Sequence, residues 1–138
     1  MKKAAALLVF VFVSQAHAEA FSSAPIDSAI LDTKTMNVTL SMSVSNPCVR
    51  VALPQVTQDA VNPTVLTIRA MTGRSIGACI SMISEKVQTV NLPTLLEMAS
   101  IQVSQFATYT VHFEGMEQEL IVPGNRLTIT VQPQPTLQ

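Results

Sequence analysis

Chemistry in this chain would have to centre on very few side chains. There are two histidines, His17 and His112. His17 falls in the N-terminal segment 1–18, which reads as cleaved from the mature chain, so His112 is the base left for a serine or cysteine nucleophile. Around it stand Glu114, Glu117 and Glu119. Glu117 and Glu119 are two apart and would share one face of a strand. Acid–base catalysis needs such carboxylates in unlike environments; on a polar strand face they act instead as charges that keep an edge soluble. His112 alternates with Tyr109, Val111 and Phe113, which puts it on the outer face beside Thr110 and Glu114. Cys48 and Cys79 with one histidine at wide spacing match no zinc pattern, and four scattered glycines build no phosphate loop. The residues point to no enzyme, no cofactor and no metal.

The compartment sets how the cysteines are read. Residues 1–18 have the form of a secretory signal peptide: Lys2 and Lys3, an apolar run over 4–13, and the small-x-small site Ala16-His17-Ala18. The apolar run is shorter than the roughly 20 residues a bilayer span needs, so no membrane insertion is expected after cleavage. The expected location is the periplasm or the medium of a bacterium, with Glu19 as the mature N-terminus. In an oxidising compartment Cys48 and Cys79 are most simply one disulfide. It would close a loop of about 32 residues, worth ~3–4 kcal/mol on the chain-entropy estimate.

The remaining chain, about 120 residues, is enough for one domain and one core. The formal net charge is −1, with no basic footprint for nucleic acid and no polybasic patch for a membrane surface. Aromatic residues make up 4% of the chain and tryptophan is absent, so Val, Ile, Leu and Met must build the core.

Period-two patterning then places the strands. Residues 36–44 alternate cleanly, with Met36, Val38, Leu40, Met42 and Val44 on one face. A shorter strand covers 48–53 and stops at Pro54, followed by a loop over 55–63. Residues 64–71 put Leu66, Ile68 and Ala70 on one face. Residues 72–77, with Gly73 and Gly77, read as a turn; 78–83 read as a strand, 84–86 as a turn and 87–92 as a strand halted by Pro93. The stretch 94–105 is open between a long loop and one helical turn through Leu95, Leu96, Met98 and Ala99. Residues 108–113 and 118–122 form a hairpin turned by Gly115, and Leu127, Ile129 and Val131 line a last strand. Residues 132–138 hold two prolines and read as a flexible tail. The expected organisation is a signal peptide over 1–18, a β domain over 19–131 and the tail. Seven or eight short strands separated by turn signals predict an all-β fold, an antiparallel β-sandwich, with a small β-barrel as the alternative.

Asn46-Pro47-Cys48, Gly77-Ala78-Cys79, Val90-Asn91-Leu92 and Tyr109-Thr110-Val111 resemble, in type and spacing, small secreted bacterial immunoglobulin-like β-sandwich domains with one disulfide and no assigned activity. Residues 107–111 are similar to the tyrosine-corner stretch of such strands, with Val111 where antibody domains carry a cysteine. The resemblance implies a fold and no reaction.

The expected role is a non-catalytic binding or structural accessory of the bacterial envelope or secretome, with a protein partner. One alternative is a protease inhibitor presenting the loop 72–78, where Gly73, Arg74 and Ser75 precede Cys79 and Arg74 suits the acidic pocket of a trypsin-like protease. Another is a pilus-type structural subunit.

Overall fold

The computed structural model describes residues 21–73 and 79–128. Its elements are β1 (Phe21–Ala24), β2 (Ile26–Asp32), β3 (Asn37–Val44), β4 (Arg50–Gln58), β5 (Val65–Gly73), β6 (Ser84–Asn91), the helix α1 (Leu92–Met98), β7 (Thr108–Phe113) and β8 (Glu119–Pro123), then a 3-10 turn at Gly124–Arg126. Two sheets form a β-sandwich, and neither closes into a barrel. One holds β2, β3 and β6 in that order, all antiparallel. The other is centred on β5. Strand β4 runs antiparallel along one flank; the other flank is shared by β7, parallel and paired with residues 65–68, and β1, antiparallel and paired with residues 70–73. Strand β8 adds outside β7 as its hairpin partner.

The alternation of the sequence is read directly by this packing. Val38, Leu40, Met42 and Val44 of β3 face Leu66, Ile68 and Ala70 of β5 and Tyr109, Val111 and Phe113 of β7 in one buried cluster. Burying a side chain of this size contributes about 1.5–3 kcal/mol. Gly115 turns the β7–β8 hairpin at φ 104°. A Cβ there would come within 2.7 Å of the Ile26 amide nitrogen, and that amide donates to Glu114 O at 2.9 Å. The chain crosses at this point, through Pro25, from β1 in one sheet to β2 in the other. Tyr109, near the start of β7, is buried with its hydroxyl accepting the Ser104 N–H at 2.9 Å. This is a tyrosine-corner geometry, a hydroxyl bound to backbone a few residues upstream.

Several boundaries differ from the sequence expectation, each for a reason of pairing. The alternation reading begins at Met36 and misses β1 and β2, whose polar residues face solvent at a sheet edge. Strand β4 does not stop at Pro54 but continues to Gln58. It is an edge strand and its register shifts between Ala52 and Gln55, the setting in which a proline costs no ladder bond. Thr72 and Gly73 belong to β5, not to a turn, because β1 and β4 pair with them from both sides. Residues 79–83 form no strand, with Ile80, Met82 and Ile83 exposed. The last β3–β6 pair is Val44 with Ser84, so the chain before Ser84 has no strand to lie against. Residues 84–86, expected as a turn, open β6 instead.

Leu127 is buried without being in a strand; it follows the 3-10 turn. The stretch left open between loop and helix contains α1, which starts earlier, at Leu92. Asn91 caps it, accepting from Thr94 N at 3.1 Å while its amide donates to Asn37 Oδ1 at 2.9 Å. Pro93 sits in the first turn, where a missing N–H is harmless. The expected signal peptide, the mature N-terminus at Glu19, Ile129, Val131 and the tail over 132–138 lie outside the described residues.

Candidate functional site

His112 and the charged side chains around it lie on the outer face of the five-stranded sheet. His112 of β7 is flanked in register by Thr67 of β5 and Glu119 of β8. Its Nδ1 is 3.8 Å from Glu119 Oε1. Beside it, Arg69 Nε of β5 lies 2.6 Å from Glu114 Oε2. These groups are partly exposed on an open sheet face, where an ion pair contributes about 0–1 kcal/mol. Glu117 lies in the turn before β8, so it does not share a strand face with Glu119. Among the described residues no three His, Cys, Asp or Glu side chains are placed to hold a metal ion.

Cys48 and Cys79 are bonded, with their Cα atoms 6.2 Å apart. Both lie outside strands, Cys48 in the turn before β4 and Cys79 ahead of β6. The turn is held by Asn46 Oδ1, which accepts the Cys48 N–H at 3.0 Å, and by Lys86 Nζ, which donates to Pro47 O at 2.7 Å. Of the candidate binding loop, Gly73 is the buried last residue of β5, lying under the Phe21 ring, where a Cβ would be 2.7 Å from Phe21 Cε1. Arg74 and Ser75 lie outside the described residues.

Two features were not legible as sites in the sequence. One is the loop from β4 to β5. Asp59 Oδ1 accepts the N–H groups of Val61 at 2.8 Å and Asn62 at 3.1 Å, and these bonds, that of Asn62 first, hold its carboxyl below the usual carboxylate range. The other is an apolar groove of about 390 Å³ at the shifted register of β4. Leu53, Pro54 and Met71 line it from the sheet, Leu95 and Met98 from α1, and Phe21 from β1. Phe21, Leu53 and Met98 expose much of their area. The described lining residues offer apolar contacts and hold no titratable side chain. The signal for it in the sequence is indirect: Pro54 reads as a strand stop and Met98 as part of a possible helical turn, and only the fold brings them together. The chain matches no family model, no curated protein and no solved structure.

Proposed function

We propose that this chain is an exported, non-catalytic binding or structural accessory domain of the bacterial envelope or its surroundings, of immunoglobulin-like type. The observation that carries the binding reading is the open apolar groove beside α1, rimmed by exposed Phe21, Leu53 and Met98. Apolar side chains grouped around a concavity on a small domain mark an interaction site. The export reading draws support from the disulfide, a bond that persists in oxidising compartments and is rare in the cytosol. The titratable groups that acid–base or nucleophilic catalysis would use are partly exposed on an open strand face.

Fractionation of the producing cells with thiol alkylation before lysis tests this reading. The expected result is a processed chain starting at Glu19, found in the periplasm or medium, with Cys48 and Cys79 protected from alkylation. A cytosolic chain with both thiols labelled overturns it.

A further inference from the structure

We propose that Met98 is a reversible oxidation site: hydrogen peroxide converts its thioether to the sulfoxide and so switches off the binding of apolar groups in the groove beside α1. This rests on the reading of that groove as a binding surface. The oxidisable sulfur of the chain narrows to methionine. Both cysteines are joined in the Cys48–Cys79 bond, and no free thiol remains among the described residues. A thioether is oxidised where the oxidant can reach the sulfur lone pair. Met36 and Met42 are buried in the core, closed to solvent. Met98 is 61% exposed and Met82 55% exposed.

The two exposed thioethers share their chemistry and differ in their surroundings. Met82 lies ahead of β6, in the segment that joins no strand, and is no part of the groove lining. Met98 is the last residue of α1 and lines the groove together with Phe21, Leu53, Pro54 and Met71. Among the described lining residues the only polar side chain is Gln55. Oxidation puts a polar S=O oxygen into that rim. The sulfur gives its lone pair to one peroxide oxygen and the S–O bond forms as the O–O bond breaks. The departing hydroxide takes the proton of the transferred oxygen and leaves as water; sulfur loses two electrons and the peroxide gains them. An apolar group seated against the sulfoxide must strip water from it without offering a hydrogen bond, which lowers affinity. The end of α1 is held independently of the sulfur. Ala99 N donates to Leu95 O at 3.1 Å, Ser100 N to Glu97 O at 3.0 Å and Ile101 N to Leu96 O at 3.0 Å. The switch therefore changes the polarity of the rim and leaves the fold intact. Methionine sulfoxide reductases return the sulfoxide to the thioether, which makes the change reversible.

The test treats the purified, disulfide-bonded protein with hydrogen peroxide. Peptide masses read the site, and the fluorescence of N-phenyl-1-naphthylamine, a neutral apolar dye, reads the groove. Met98 and Met82 are expected to gain oxygen about tenfold faster than Met36 and Met42, with the circular dichroism unchanged. Oxidation is expected to weaken dye binding about tenfold in the parent and in Met82→Leu, and methionine sulfoxide reductase to restore it. In Met98→Leu the dye affinity after peroxide equals its value before. Met98 oxidising no faster than the buried methionines, or an affinity that falls as far in Met98→Leu as in the parent, overturns the proposal. Dye binding that survives oxidation of Met98 overturns the switch alone. No dye binding by the untreated protein overturns the groove as a binding surface and the switch with it.

Discussion

Strands β6 and β7 have the same alternating plan and opposite surroundings. β7 lies inside the five-stranded sheet, between β5 and β8, and its inner positions Tyr109, Val111 and Phe113 are all buried. β6 lies at the edge of the three-stranded sheet. Its inner positions share a face with Leu40 and Met42 of β3 and are Lys86, Gln88 and Val90, of which only Val90 is buried. Lys86 Nζ reaches Pro47 O at 2.7 Å and Gln88 Nε2 reaches Ala52 O at 2.9 Å. Along this side the sandwich is closed by two long polar side chains that satisfy one backbone carbonyl of β4 and one in the turn before it. The centre of the sandwich is held by apolar area, its open side by a few directed hydrogen bonds. The two regions should therefore fail differently.

The largest predicted contrast is the same substitution in both strands. Val111, 1% exposed, and Val87, 62% exposed, are each replaced by aspartate. Val111→Asp puts a carboxyl with no partner into the core, a loss of several kcal/mol set against the roughly 5–15 kcal/mol that holds a domain together, and the domain should unfold. Val87→Asp should fall within about 0.5 kcal/mol of the parent. Thr110→Asp, next to Val111 on the outer face, should also be mild. Urea melts followed by circular dichroism decide this; equal losses at 111 and 87 would abolish the distinction between the strands.

Cys48→Ala comes next, because it releases the turn that Lys86 also holds. A loss of about 3 kcal/mol is expected, read as a fall in Tm. A variant as stable as the parent would show that the hydrogen bonds of β6 suffice. Tyr109→Phe removes one buried acceptor on β7 and leaves the Ser104 N–H unpaired, for a predicted loss of about 1–3 kcal/mol. Lys86→Met keeps the aliphatic stem and removes one donor, with about 1 kcal/mol expected. If Lys86→Met costs more than Tyr109→Phe, the edge matters more to the sandwich than its centre does.

The smallest effect is predicted at Asp59, on the exposed loop between the sheet's edge strand β4 and its central strand β5. Its carboxyl is held below its ordinary value of 3.8 by the N–H groups of Asn62 and Val61. A depressed folded pKa contributes stability that is present above the unfolded value and lost as pH falls through the folded one. Carbon-13 titration of the side chain should give a midpoint below 3.8, and Asp59→Asn should remove the acid-side change in the Val61 and Asn62 amide shifts. A midpoint at or above the ordinary value rules out those bonds in solution.

How much of this was readable beforehand depended on whether a strand was covered on its inner face by apolar neighbours. Residues 108–113 and 64–71 were legible almost to the residue, because Tyr109, Val111, Phe113, Leu66, Ile68 and Ala70 alternate with polar groups. The cysteine pair followed from its even number and the N-terminal segment. Residues 84–86 read as a turn from local composition, because Ser, Glu and Lys are turn-like. Their partners, Glu85 with Ser41 at 2.5 Å and Lys86 with Pro47, lie some 40 residues away along the chain. For the candidate site even less was legible, since Leu53, Met71 and Met98 are unrelated in sequence and the groove exists only where the fold brings them together.

Local pattern alone settles the all-β class, the central strands with their buried faces, the hairpin at Gly115 and the pairing of the cysteines. Each of these rests on local periodicity, on the freedom of one glycine, or on the count of one residue type. Long-range packing settles that β1 and β2 lie in different sheets, that β5 and β7 run parallel, that β4 passes through Pro54, that residues 79–83 join no strand, and where the groove opens. Those outcomes depend on which strand finds which partner. Pairing partners are chosen by contacts between residues distant in sequence, which no local pattern encodes.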